Sequence, residues 1–122
     1  MEAATILVVE DEAFVAEEIR EDLERGGYRV PEIVSSGEEV MEAVQRVKPD
    51  LILMDVHIES AVDGIDAAYL TQAEFKIPVI YLTAYSDVDT LRRASATNPA
   101  AFLLKPFREE DLLSSVRSAL AK

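Results

Sequence analysis

Leu51-Ile52-Leu53-Met54-Asp55 sets four apolar residues in unbroken succession before a carboxylate, with Pro49 and Asp50 ahead of them. Strict alternation would mark a strand with one face in water. An unbroken apolar run instead marks a short strand covered on both faces, the kind found in parallel sheets. An ionised Asp is rarely buried without a partner or a metal, so Asp55 belongs at the end of this strand. In open α/β sheets the ligand crevice lies outside the carboxyl ends of the strands, and Asp55 is thereby aimed into it. Taken alone, the stretch suits equally an Asp that merely caps a turn.

The same signature recurs on both sides. Thr5 to Val9 is a β-branched apolar run ending in Glu10, Asp11 and Glu12. Phe14, Val15, Ile19 and Leu23 then follow at helical spacing until Gly26-Gly27. Tyr28 to Val34 is a weaker strand interrupted by Pro31, which suits an edge. Ser36 with Glu39 has the spacing of a capping box for a helix carrying Val40, Met41, Val44 and Val47. After Asp55 comes a polar loop, and Asp63-Gly64 opens a helix that ends near Lys76. Pro78 to Leu82 is a fourth strand ending in Thr83, and Ser86 and Asp87 can cap the helix that follows. Ala101 to Leu104 is the fifth strand, closed by Lys105-Pro106, and Arg108 to Ala121 is a final helix with Leu112, Leu113, Val116 and Leu120 on one side. Five strand–helix alternations predict an α/β fold, a single doubly wound (βα)5 domain over residues 1–122.

Composition narrows the function. The chain has 122 residues, enough for one domain with one sizeable core. With 24 acidic against 12 basic side chains the formal net charge is −12, which disfavours nucleic acid and anionic lipid and favours cations or basic partners. No cysteine is available for a disulfide or a thiolate metal site. The N-terminus lacks a signal-peptide pattern and no run is long enough to span a membrane, so a cytoplasmic location is the expectation.

One parallel sheet brings Glu10, Asp11, Asp55, Thr83 and Lys105 to a single edge. Two carboxylates about 4 Å apart repel by ~4 kcal/mol at an effective dielectric of roughly 20, so a positive charge is expected among them. With oxygen ligands only, a hard cation such as Mg²⁺ fits, and Lys105 suits a phosphate as a point charge.

These residues resemble the receiver domains of two-component response regulators. The resemblance rests on Val8-Val9-Glu10-Asp11, Leu53-Met54-Asp55, Asp63-Gly64, Tyr81-Leu82-Thr83-Ala84 and Leu104-Lys105-Pro106-Phe107, five motifs in order over nearly the whole chain. It implies a flavodoxin-like sheet of order 2-1-3-4-5. It also implies that Asp55 accepts a phosphoryl group from a histidine kinase phosphohistidine, a phosphotransfer protein or a small phosphodonor. Asp11, Glu10, Asp55 and the backbone carbonyl of His57 match the Mg²⁺ ligands. Thr83 and Lys105 match the hydroxyl and ammonium that hold the phosphoryl oxygens, and Thr83 with Phe102 matches the switch pair. The Lys105-Pro106 bond is typically cis in the family. Such a domain is not an enzyme acting on other substrates; it catalyses its own phosphorylation and dephosphorylation. Its expected partners are the kinase, a downstream effector, and a second copy through the fourth helix, fifth strand and fifth helix.

The loop after Asp55, Ile58-Glu59-Ser60-Ala61-Val62, is longer than the common pattern and lacks its Met-Pro step. Tyr85 occupies a position from which a bulky ring is expected to shield the acyl phosphate. His57, the only histidine, is expected as an exposed side chain. Competing readings are an Asp-nucleophile phosphatase, which wants a second acid where His57 stands, and a degenerate receiver, which the full set of Asp11, Asp55, Thr83 and Lys105 opposes. Whether the chain stands alone or belongs to a hybrid kinase, a nucleotide cyclase or a transcription factor is left open by the residues.

Overall fold

The computed structural model describes residues 3–58, 60, 62–83 and 88–121. Its strands are β1 (Ile6–Val9), β2 (Ile33–Val34), β3 (Leu51–Asp55), β4 (Val79–Thr83) and β5 (Ala101–Leu104). Its helices are α1 (Ala13–Arg25), α2 (Val40–Val47), α3 (Gly64–Phe75), α4 (Val88–Ser95) and α5 (Glu109–Leu120), with a 3₁₀ turn at Gly37–Glu39 before α2. All strand pairs are parallel, in the order β2-β1-β3-β4-β5. This is the doubly wound sheet expected from the alternation of elements.

Every residue of β1, β3 and β4 is buried, because helices cover both faces. Leu7, Val9, Ile52, Met54, Val79 and Tyr81 pack with residues of α2, α3 and α4. Ile6, Val8, Leu51, Leu53, Ile80 and Leu82 pack with Ile19 and Leu23 of α1 and Leu112 and Val116 of α5. The period of two along each strand divides the two cores.

Several local expectations need correction. Phe14 is 93% exposed, so the buried face of α1 is Ala16, Ile19 and Leu23. Residues 16, 19 and 23 fall on one helical stripe, and Phe14 projects away from it. The second strand shrinks to Ile33–Val34 with one bridge between Thr5 and Arg29, since Pro31 cannot donate to a ladder. Ser36 makes no cap bond to backbone; its hydroxyl donates to Glu39 at 2.6 Å instead. Phe102 is 38% exposed and Leu104 60% exposed, whereas Leu103 is buried with α5, as befits an outermost strand with one covered face. The Ser86 and Asp87 cap, Ala84 and Tyr85 lie outside the described residues.

Candidate functional site at the carboxyl edge of the sheet

The sheet register builds the site. Val9 pairs with Met54, so Glu10 follows β1 beside Asp55 at the end of β3. Asp55 pairs with Leu82, and Thr83 pairs with Leu104, so Thr83 and Lys105 complete the same edge. Glu10 is held there because its N–H donates to the Val34 carbonyl at 2.9 Å, and Lys105 because its N–H donates to the Thr83 carbonyl at 2.7 Å. The Lys105-Pro106 bond is cis.

Carboxylate oxygens of Glu10, Asp11 and Asp55 lie within 4.8 Å of one another. Glu10 and Asp55 are buried and Asp11 is exposed. Lys105 Nζ donates to Glu10 Oε1 at 2.9 Å and to Asp55 Oδ2 at 3.1 Å. The other Asp55 oxygen, Oδ1, accepts from the His57 N–H at 2.9 Å, and Glu10 Oε2 accepts from the Glu12 N–H at 3.1 Å. Both buried carboxylates therefore have a donor on each oxygen, and each oxygen keeps further acceptor capacity.

Electrostatically, three ionised carboxylates against one ammonium leave a local charge of −3 + 1 = −2. Burial pushes the Glu10 carboxyl above its ordinary value, and the Asp55 charge adds to the rise against the opposing Lys105 and Glu12 hydrogen bonds. Burial alone would depress the Lys105 ammonium, but its hydrogen bonds to Glu10 and Asp55 and their charges raise it overall. The crowding of negative charge is real, and the lysine relieves only part of it. The donor set is all oxygen, and its deficit is that of one divalent ion, so the residues present fit a hard divalent cation.

Thr83 and Phe102 are placed by β4 and β5, the last two strands in the sheet order. Thr83 is buried at the end of β4. Phe102 stacks on Tyr81 with ring centroids 5.7 Å apart, and the Tyr81 hydroxyl lies 2.6 Å from Thr97 Oγ1 beyond the end of α4. His57 presents an exposed side chain and uses its backbone N–H.

Two residues do more than the sequence reading gives them. Lys105, expected on a phosphate, also neutralises Glu10, 95 residues away in the chain. Gly64, the first residue of α3, leaves room for the Asp55 carbonyl, where a Cβ would collide. Its signal was the Asp63-Gly64 pair, whose Asp63 side chain caps α3 by accepting from the Asp66 N–H at 2.9 Å. Beside the site, between α1 and the segment after β5, lies a cleft of about 550 Å³ lined by Val15, Ile19, Lys105, Pro106 and Phe107, among others.

Comparison with known proteins agrees with this geometry. The chain is 35% identical over 117 residues to the transcriptional regulatory protein PdtaR of Mycobacterium tuberculosis, covering 96% of this chain and 57% of PdtaR. It is 29% identical to the DNA-binding response regulator MtrA of the same organism, covering 96% of this chain and 50% of MtrA. The chain thus spans little more than half the length of these curated relatives. Among solved structures, it superimposes with a TM-score of 0.93 on the signal receiver domain of a modulated diguanylate cyclase from Desulfovibrio desulfuricans. That match has 32% identity and covers 98% of this chain and 95% of the other. The receiver domain of a histidine kinase from Syntrophus aciditrophicus gives 0.88 at 33% identity, covering 98% and 91%. The family model described as the response regulator receiver domain matches residues 6–117, and the chain accordingly belongs to the response regulator receiver domains of two-component signal transduction.

Proposed function

We propose that residues 1–122 act as one receiver domain in which Asp55 is the phosphoacceptor. The supporting observation is the environment of Asp55, a buried carboxylate at a strand end with Lys105 on one oxygen and two further carboxylates within 4.8 Å. An Asp55 oxygen attacks the phosphorus of a phosphohistidine or a small acyl phosphate, the new O–P bond forms, and the bond to the donor's imidazole or acyl oxygen breaks. Such transfer depends on positioning and on neutralising charge spread over the equatorial oxygens. Glu10, Asp11, Asp55 and the His57 carbonyl would hold Mg²⁺, which would neutralise charge on the carboxylates and the incoming phosphoryl group. Lys105 pairs with a phosphoryl oxygen by giving up part of its bonding to Glu10 and Asp55, and Thr83 donates its hydroxyl to another.

Switching follows from the same residues. Movement of Thr83 toward the phosphoryl group opens space beside β5, and Phe102 turns inward from its exposed position on Tyr81. The face made of α4, β5 and α5 then changes, and a partner preferring one state shifts the population. Val88, Phe102 and Leu104 are exposed apolar side chains on α4 and β5, in keeping with an effector or a second copy docking there. The donor is a histidine kinase or phosphotransfer protein, the domain acts as a catalyst only on its own phosphorylation state, and its place is the cytoplasm. No helix among the described residues is long and apolar enough to cross a membrane.

The experiment is intact mass after incubation with acetyl phosphate and Mg²⁺, beside Asp55→Asn and a chelator control. A single phosphoryl gain that needs both Asp55 and the metal is expected. A gain that persists in Asp55→Asn would sink the assignment.

A further inference from the structure

The loop that departs from the common receiver pattern is fastened to a different part of the chain. Ile58 is buried in the α2–α3 core, and Val62 packs partly buried against the same core. The loop is also tied to the 3₁₀ turn before α2. Ser60 Oγ accepts from the Gly37 N–H at 3.1 Å and donates to the Val62 carbonyl at 2.5 Å. The Val62 N–H donates to Glu38 Oε1 at 2.6 Å. Gly37 has no side chain because the Val62 carbonyl occupies the space a Cβ would need. At its far end the loop meets the Asp63 cap and Gly64, which packs on the Asp55 carbonyl. The 3₁₀ turn, over 20 residues upstream of the loop, thus braces the segment that carries His57, whose N–H holds Asp55 Oδ1.

We infer that Glu38 and Ser60 are positioning residues for the divalent cation, fixing the path of the Asp55–Asp63 segment so that the backbone at His57 stands ready beside the carboxylates. The inference rests on the function proposed above. It also explains how a loop without proline is tied down at Ser60 and Val62. Three hydrogen bonds to the 3₁₀ turn and within the loop supply the restraint that a proline ring otherwise gives. Neither side chain belongs to the carboxylate cluster of Glu10, Asp11 and Asp55; each acts through the loop backbone, as outer-shell groups do for metal ligands.

The test is calorimetric titration of the full chain with MgCl₂, with a melting curve for every variant. Glu38→Ala removes one of the three hydrogen bonds and Ser60→Ala the other two. The affinity is expected to fall about threefold to tenfold for the first, the range a single net hydrogen bond corresponds to, and at least as far for the second. Glu38→Gln keeps an acceptor for the Val62 N–H and removes the charge, so it is expected to bind within about twofold of wild type, less than the loss of one net hydrogen bond. At saturating Mg²⁺ the rate of phosphorylation by acetyl phosphate is expected to return to that of wild type in Glu38→Ala, a split that general loss of structure does not produce. Asp11→Asn serves as the control for the site itself. If Asp11→Asn loses binding while Glu38→Ala and Ser60→Ala bind like wild type, the inference is overturned and the proposed function stands. If Glu38→Gln weakens binding as much as Glu38→Ala, the effect is one of charge and the inference is again overturned. If wild type binds no Mg²⁺, the proposed function falls and the inference with it.

Discussion

Replacing Lys105 by Met separates the electrostatic reading of the site from a merely structural one. Lys105 Nζ sits 2.9 Å from Glu10 Oε1 and 3.1 Å from Asp55 Oδ2. At about 3 Å and an effective dielectric of roughly 20, each pair attracts by ~5 kcal/mol before desolvation is subtracted. Removing one partner of a buried pair typically costs about 3–5 kcal/mol because the remaining charge is left uncompensated. The Lys105 side chain is 21% exposed, so water reaches it and the lower end applies. Lys105→Met is therefore expected to lose about 3 kcal/mol, a fall of roughly 10 °C in melting temperature for a domain of this size. Glu10→Gln is expected to cost far less. It keeps one acceptor oxygen but turns the other into an NH₂ that meets a donor, Lys105 or the Glu12 N–H, while removing one of three crowded charges. The two effects offset, and stability without metal is expected to change by no more than ~1 kcal/mol. Mg²⁺ at about 100 times its dissociation constant stabilises a binding-competent fold by ~2.7 kcal/mol, which recovers much of the Lys105→Met loss. Urea or thermal unfolding followed by far-ultraviolet circular dichroism, with and without Mg²⁺, reads all of this. The reasoning is refuted if Lys105→Met melts like wild type without metal, or if Glu10→Gln is destabilised as much as Lys105→Met.

Two further outcomes are expected. Burial raises the Tyr81 phenol above its ordinary value, outweighing the Thr97 hydrogen bond. A raised group contributes stability that is complete below its unfolded pKa of about 10 and is lost as pH rises through the folded value. A phenolate absorbance titration should therefore show a late-ionising tyrosine that disappears in Tyr81→Phe; an unchanged curve in that variant would contradict the burial argument. Gly64→Ala sets a Cβ against the Asp55 carbonyl, a backbone atom that cannot swing away. It is expected to cost about 1–3 kcal/mol in urea unfolding and to slow phosphorylation, whereas a variant as stable and as reactive as wild type would show that the close approach is not needed.

The fold was legible because its signals are strong and local. Runs such as Leu51–Asp55 with helical spacing between them predict a parallel sheet, and a parallel sheet brings Glu10, Asp55 and Lys105 to one edge from positions 45 and 50 residues apart. What was hidden depends on packing direction and on contacts between distant loops. Phe14 reads with Val15, Ile19 and Leu23 in the sequence, yet at about 100° per residue it lies roughly 140–180° around the helix from Ala16, Ile19 and Leu23, the stripe that the sheet selects. Phe102 lies in an apolar run like those of the central strands, yet on the outermost strand it is 38% exposed. Ser36 and Glu39 have capping-box spacing, but the 3₁₀ turn lets the two side chains bond each other instead of the backbone. The ties from Ser60 and Val62 to Gly37 and Glu38 cross more than 20 residues, and no local pattern encodes them.

The most direct test of the central claim is to locate the phosphoryl group. After phosphorylation with acetyl phosphate and Mg²⁺, borohydride reduces an aspartyl phosphate to homoserine, and peptide sequencing by mass spectrometry finds the reduced residue. Homoserine at position 55 and nowhere else is the expected result. Homoserine at position 11, or full phosphorylation with position 55 unmodified, would contradict the role proposed for Asp55.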